Sequence, residues 1–320
     1  MSIIKMYSDE FRYKNRLPAG IQEPDTTEET QETMPPVELP PLNNEAEPTT
    51  TNATHPNIPA FDIGEMPNSF FAVVVGARRS GKTTMVESLL DKMQKDNRKK
   101  FTHIFLISGT NAGFTPMIPK KFRSRDMAML DYIEAGQKKV KKHNKKQKYK
   151  KDMIKQRTCV VVDDCATSSS QCLKNSQALE RAALNGRHLG SGNGTQGDPM
   201  EGNGVSYIIL SQALTAMSRR MRLNSDVIFF NNLASLTESE MVMQENGFFT
   251  NTSRGGKSAG RQLYRDLVVS KPFRFIATMN CIQNKVHIGD YVRTVDPELI
   301  TRPRQLFGTA SDDEGESDDE

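Results

Sequence analysis

The chain is 320 residues long, enough for one large domain or two small ones, with a net charge of +4. No apolar run approaches the ~20 residues that a membrane-spanning helix needs, and the first residues, MSIIKMYSDEFRYK, lack the apolar core of a signal peptide. The four cysteines, Cys159, Cys165, Cys172 and Cys281, form no C-x-x-C pair and have no histidines at ligand spacing, so they read as free thiols in a reducing compartment rather than as a zinc site or a disulfide framework.

The charge is unevenly spread. No Lys or Arg occurs between Leu17 and Ala77, and the last nine residues, DDEGESDDE, hold seven acids. Residues 69–311 carry 39 Lys plus Arg against 20 Asp plus Glu, and a body with that excess attracts polyanions. Residues 22–59 are rich in Pro, Thr, Glu and Asn and poor in large apolar side chains, so they bury too little to offset ordering entropy. These patterns divide the chain into a mostly disordered extension (1–66), a folded domain (67–307) and an acidic tail (308–320).

In chain order, residues 70–75 read as a first strand, followed by the turn Gly76-Ala77-Arg78-Arg79-Ser80-Gly81 and a helix over 82–97 that buries Met85, Leu89, Leu90 and Met93. A second strand is expected over 101–108. A segment from 125 to 157 starts with helical spacing (Met127, Met129, Leu130, Ile133) and runs into lysines. Strand 158–162, helix 176–187, a Gly-rich loop (189–204) and strand 205–210 follow. Then come a helix over 213–221, strand 227–230, helices over 237–245 and 262–269, and a strand over 273–279. This alternation predicts an α/β domain with a mostly parallel sheet and helices on both faces, binding ligands at the carboxyl ends of its strands.

The chemistry sits at those ends. Gly76 to Thr83 is G-x-x-x-x-G-K-T between a strand and a helix, the pattern of a phosphate-binding P-loop. Gly76, Ala77, Arg78, Arg79, Ser80, Gly81, Lys82, Thr83 and Thr84 are the expected phosphate cradle. Lys82 is expected to reach the β- and γ-phosphates of ATP, and the Thr83 hydroxyl to hold Mg²⁺. The third strand ends in Asp163-Asp164, with Asp163 read as the metal ligand and Asp164 as general base for the attacking water; a polar turn after a strand is the plainer reading of the pair. Gln212 follows the fourth strand, as a γ-phosphate sensor or as part of a strand-end cap. Arg187, in Asn185-Gly186-Arg187-His188, reads as an arginine finger for a neighbouring subunit or as a cation at a helix end.

The loop, VVVDD, NGRH before a strand, and a strand ending in SQ together resemble the DNA-packaging ATPases of nucleocytoplasmic large DNA viruses, of which the poxvirus packaging ATPase is the best-known relative. They belong to the FtsK/HerA branch of additional-strand P-loop ATPases. The resemblance covers about residues 69–303. It implies a RecA-like core in a homo-oligomeric ring that drives double-stranded DNA into a capsid at a capsid or portal-vertex protein. It implies Lys82, Thr83, Asp163, Asp164 and Gln212 as the ATPase set, and action inside the host cell, in a cytoplasmic virus factory or the nucleus. The long extension, the lysine-rich block and the acidic tail depart from the family pattern. Many relatives carry Glu where Asp164 stands.

Residues 138–157 hold eleven basic residues and one acid. As a helix this block would present charge on all sides, suited to sequence-independent contact with DNA phosphates; a solvated insertion or a nuclear-import signal is the alternative. Two other functions stay open from sequence. One is a P-loop kinase using the Arg219-Arg220-Met221-Arg222 cluster in a lid, and the other a nucleotide-gated DNA-binding scaffold without turnover.

Overall fold

The computed structural model describes residues 58–96, 100–109, 114, 117–147, 154, 156–163, 171–174, 176–189, 204–233, 235–248, 256–269, 271–283 and 285–298. All of them belong to the second of two compact units, Pro56–Glu320. The acidic tail, most of the Gly-rich loop, the lysines beyond Gln147 and most of the N-terminal extension lie outside the described residues.

The elements run β1 (Phe71–Val75), α1 (Lys82–Lys95), β2 (His103–Ser108), β3 (Arg123–Ser124), α2 (Met129–Asn144), β4 (Thr158–Asp163), α3 (Gln171–Lys174), α4 (Gln177–Asn185) and β5 (Val205–Ser211). They continue with α5 (Arg219–Leu223), β6 (Val227–Phe230), α6 (Leu236–Glu245), α7 (Gly256–Val269), β7 (Phe275–Met279), α8 (Ile288–Tyr291) and β8 (Val292–Val295). The strands form one eight-stranded sheet in the order β3-β2-β4-β5-β1-β6-β7-β8. Pairing is parallel from β3 to β6 and antiparallel from β6 to β8. Every residue of β1, β4, β5, β6 and β7 is buried, as strands covered on both faces require.

The helices form for local reasons. α1 buries Met85, Val86, Leu89, Leu90 and Met93 on one face, and Lys92 and Lys95 complement the dipole in its last turn. Ser176, Ser218 and Ser235 cap α4, α5 and α6 by accepting from Leu179 N, Met221 N and Glu238 N.

Four expectations are corrected. The helix expected over 213–221 is broken into a 3-10 turn (Leu214–Ala216) and α5, because Met217 is extended and Ser218 starts a new cap. The segment expected to be helix over 262–269 begins earlier, at Gly256. The fold also starts before residue 67: Ala60 bridges Thr294 of β8, Phe61 stacks edge-on against Phe229 at 5.3 Å, and Glu65 pairs with Arg293 at 2.7 Å. Finally, the described start of the lysine block, up to Gln147, is not charged on all sides. α2 buries Met129, Ile133, Gln137, Val140 and Asn144 along one stripe. Gln137 Nε2 donates to Thr158 Oγ1 at 2.9 Å, and Asn144 both donates to Ile154 O at 3.0 Å and accepts from Ile154 N at 2.8 Å. The polar residues on the stripe are satisfied, which is what makes it buriable.

Candidate nucleotide-binding site

β1 feeds the phosphate loop from the middle of the sheet. Val75 is in register with Ser211 of β5 on one side and Phe230 of β6 on the other. The next two residues stay tied to those neighbours: Gly76 N donates to Ser211 O and Ala77 N to Asn232 O, both at 3.3 Å. The turn closes with Ser80 N donating to Ala77 O at 3.2 Å. Gly81 caps α1 in the left-handed region at φ 86°, where a glycine costs least. A β-carbon at Gly76 would lie 2.5 Å from Ser80 Oγ, so the serine side chain would have to move to admit any larger residue there. A residue that sequence reasoning missed holds the loop from outside: Asn231, just past β6, donates from Nδ2 to Ser80 O at 3.0 Å. Tyr264 Oη on α7 donates to Asn231 O at 3.1 Å and fixes the clamp in turn.

Lys82 Nζ donates to Gly76 O at 2.8 Å and to Ala77 O at 2.9 Å, which folds the ammonium back over its own loop. No side chain caps the start of α1, leaving backbone N–H groups there to face an anion. Ser80 Oγ is buried in the loop without a hydrogen-bond partner. A cradle closed at Gly76, an uncapped helix start, a lysine over the loop and an orphaned buried hydroxyl fit a bound polyphosphate.

The acid follows one strand away. Asp163 ends β4 in register with Leu210 of β5, next to the Ser211 that accepts from Gly76. It is 8% exposed. Glu87, one turn and a half into α1, was also missed. Burial pushes its carboxyl above the usual range; the Phe114 N–H it accepts works the other way, and the charge of Asp163 adds to the rise. Thr83 in the first turn of α1 and Asp163 at the end of β4 carry the hydroxyl and carboxylate oxygens that Mg²⁺ takes, and the Glu87 carboxyl lies near enough to Asp163 to feel its charge. Ser211 Oγ donates to Ala213 O at 2.8 Å and accepts from Ala213 N, so the strand end is capped by the serine. Gln212 beside it is exposed at the same end of the sheet as the loop.

Two expected site residues remain. Asp164 lies outside the described residues. The 3-10 turn Gly186–His188 that carries Arg187 packs at the start of β5, where a β-carbon on Gly186 would lie 2.8 Å from Tyr207 Cε2 and 3.2 Å from Val205 O. The loop is at the other end of β5, seven residues or about 20 Å away. The turn that carries Arg187 therefore lies at the far end of β5 from the loop of its own chain. The arginine cluster of α5 is also remote, since α5 leads into the amino end of β6. Arg222 is engaged there with Glu245 at 2.8 Å and with Met217 O at 2.8 Å, which argues against a kinase lid.

β5 is inserted between the loop strand β1 and the acid strand β4, the strand order expected of an additional-strand P-loop fold. The family model described as poxvirus A32 protein matches residues 60–192, a stretch that includes the phosphate loop, Asp163, Asp164 and Arg187. The resemblance drawn from the motifs and this match therefore point to the same relatives.

Among solved structures, the genome packaging NTPase B204 of Sulfolobus turreted icosahedral virus 2, in complex with sulfate, is 14% identical with a TM-score of 0.46, over 73% of this chain and 99% of that one. The cytoplasmic domain of the type VII secretion ATPase EccC of Thermomonospora curvata is 10% identical with a TM-score of 0.44, over 78% of this chain and 30% of that one. No curated protein sequence matches this chain closely enough to count as a relative. No helix among the described residues is long and apolar enough to cross a membrane.

Proposed function

We propose that this chain is a DNA-packaging ATPase that couples ATP hydrolysis to translocation of double-stranded DNA into a viral capsid. The observation that carries the reading is the meeting of the phosphate loop and Asp163 at one end of β4, β5 and β1, within a stretch matched by the poxvirus A32 family model. Backbone N–H groups from Gly76 to Thr84 hold the phosphates, and Lys82 exchanges its two loop carbonyls for phosphate oxygens. Thr83 and Asp163 hold Mg²⁺, which when bound neutralises charge on the phosphates. Asp164 takes the proton of the attacking water, and Gln212 orients that water. Arg187 reaches the loop of a neighbouring copy, so the chain works as a homo-oligomeric ring. A capsid or portal-vertex protein receives the ring, inside the infected cell.

DNA is held through its phosphates and without regard to sequence. Lys139, Lys142, Lys145 and Lys146 are exposed on or just beyond α2 and make those contacts. Lys138 and Lys141 are engaged within the chain, with Glu134 at 2.6 Å and with His188 O at 2.8 Å.

The test is the ATPase rate with and without duplex DNA. Stimulation by DNA is expected. Transfer of phosphate to a small acceptor would make the chain a kinase, and nucleotide binding without turnover would make it a scaffold.

A further inference from the structure

The nucleotide site described so far holds phosphates and has nothing for a base. Among the described residues, five large apolar side chains are exposed: Leu184, Leu223, Leu236, Phe273 and Val286. Phe273 is the one aromatic of the five, and it stands beside the phosphate loop. A β-carbon at Gly81 would lie 3.3 Å from Phe273 Cδ1. Because β7 runs antiparallel to β6, the turn that precedes β7 falls at the same end of the sheet as the loop.

The backbone of Phe273 is in the left-handed region, at φ 60°. Only glycine, and to a lesser degree asparagine and aspartate, enters that region cheaply, and a bulky residue there is strained. Strain of this kind persists only where the surroundings over-determine it. They do so here. Arg274 N donates to Lys271 O at 3.2 Å and closes the turn. Arg274 then grips both oxygens of Asp296, at 2.9 and 3.2 Å, and Lys271 pairs with the same carboxylate at 3.0 Å. Three charged groups thus hold a solvent-facing ring in an unfavourable conformation. Burial does not explain the arrangement, because the ring is 61% exposed.

We infer that Phe273 is the stacking platform for the nucleobase of the nucleotide held on the phosphate loop. The inference rests on the phosphate-binding reading of that loop and adds the part of the ligand it recognises. A nucleoside tethered to phosphates at the start of α1 carries its base past Gly81, where the exposed ring stands. Stacking on a ring is tolerant of base identity, since every base has a π-face. The site therefore takes nucleoside triphosphates with little preference between adenine and guanine. The strain is the cost of holding the ring ready before the ligand arrives.

The experiment measures binding of Mg-ATP, Mg-GTP and inorganic tripolyphosphate by calorimetry on the full chain and on Phe273→Ala, Phe273→Gly and Phe273→Tyr. Phe273→Ala and Phe273→Gly are expected to weaken both nucleotides by about five- to 150-fold, the range that loss of one base–aromatic stack gives, while tripolyphosphate is unchanged. Phe273→Tyr keeps the π-face and is expected to bind like the parent. Phe273→Gly relieves the strain at φ 60°, so its Tm is expected to equal or exceed that of the parent while its nucleotide affinity falls. Unchanged ATP affinity with tripolyphosphate binding intact overturns the platform alone. A shift in oligomeric state with unchanged ATP affinity also overturns it, and assigns the ring to a contact between copies. Failure of the parent to bind both ATP and tripolyphosphate removes the phosphate-loop reading, and the platform with it.

Discussion

The side-chain amide of Asn231, at the end of β6, donates to the carbonyl of Ser80 at 3.0 Å and so holds the phosphate loop from a strand 151 residues away in sequence. Asn231 is buried, and its loss leaves the Ser80 carbonyl without this donor. Asn231→Asp removes the donor at nearly constant shape. We expect a loss of about 1–3 kcal/mol in stability, the range for an unsatisfied buried group. Affinity for tripolyphosphate should fall several-fold at the same time. Chemical denaturation and calorimetry measure the two; loss of stability with unchanged affinity would show that the loop keeps its shape without the clamp.

The opposition of Glu87 and Asp163 has a pH signature. The folded state holds the Glu87 carboxyl above its ordinary range, chiefly through burial and further through the charge of Asp163. The folded chain therefore binds a proton more readily than the unfolded one. Its contribution to stability is present at acidic pH and is lost as the pH rises from the ordinary glutamate range through the raised value. Glu87→Gln should flatten that fall in melts run without divalent cations. Magnesium added to the parent should take back only the smaller part of the fall, the part that comes from the charge of Asp163. A parallel pH dependence in parent and Glu87→Gln would remove the electrostatic account.

Lys82→Ala should fold normally and lose hydrolysis, because the lysine spends its hydrogen bonds on two loop carbonyls rather than on the core. Arg187→Ala should bind nucleotide and hydrolyse it slowly. Since Arg187 sits at the far end of β5 from its own loop, mixing the two mutant chains should restore part of the activity, each copy supplying what its neighbour lacks. No recovery at any ratio, with mixed assembly confirmed, would leave Arg187 a cation at the end of a helix.

Changing Lys139, Lys142, Lys145 and Lys146 to Gln leaves the buried stripe of α2 untouched. DNA-free ATPase activity should be unchanged. The slope of log affinity against log salt should flatten by roughly 0.9 for each phosphate contact removed, equally for all sequences. A salt titration of duplex binding decides the point. An unaltered slope would move the DNA path to another basic surface, such as α7 with Lys257, Arg261 and Arg265.

The parts that were legible in the sequence are those written locally. The β-branched run before Gly76, the glycine spacing and the apolar approach to Asp163 each fit within a dozen residues. β6 was read correctly from four apolar residues between polar ones. What was missed depends on partners far along the chain. β3 is two residues long and exists because β2 offers it an edge, and β8 is held by β7 and by residues 59–61. The buried face of α2 was hidden because Gln137 and Asn144 stand where leucines would have shown the period, and their bonds to Thr158 and Ile154 are invisible until the strand is in place. Asn231 and Phe273 are single residues that become neighbours of the loop only through the sheet. Glu87 is set apart from other helix acids only once β4 brings the charge of Asp163 near it.

The bridge at Thr294 bears on how copies of this chain are able to meet. Phe61 N donates to Thr294 O and Thr294 N donates to Pro59 O, both at 2.9 Å, so the middle of β8 already spends its outward backbone groups within the chain. At the opposite margin β3 offers only Arg123 and Ser124. Among the described residues, neither margin presents a long continuous strand with all its outward backbone groups open. If copies of this chain assemble as proposed, contacts made by described residues along these margins fall to side chains and loops, which can slip and re-form. A backbone seam could not do so without local unfolding.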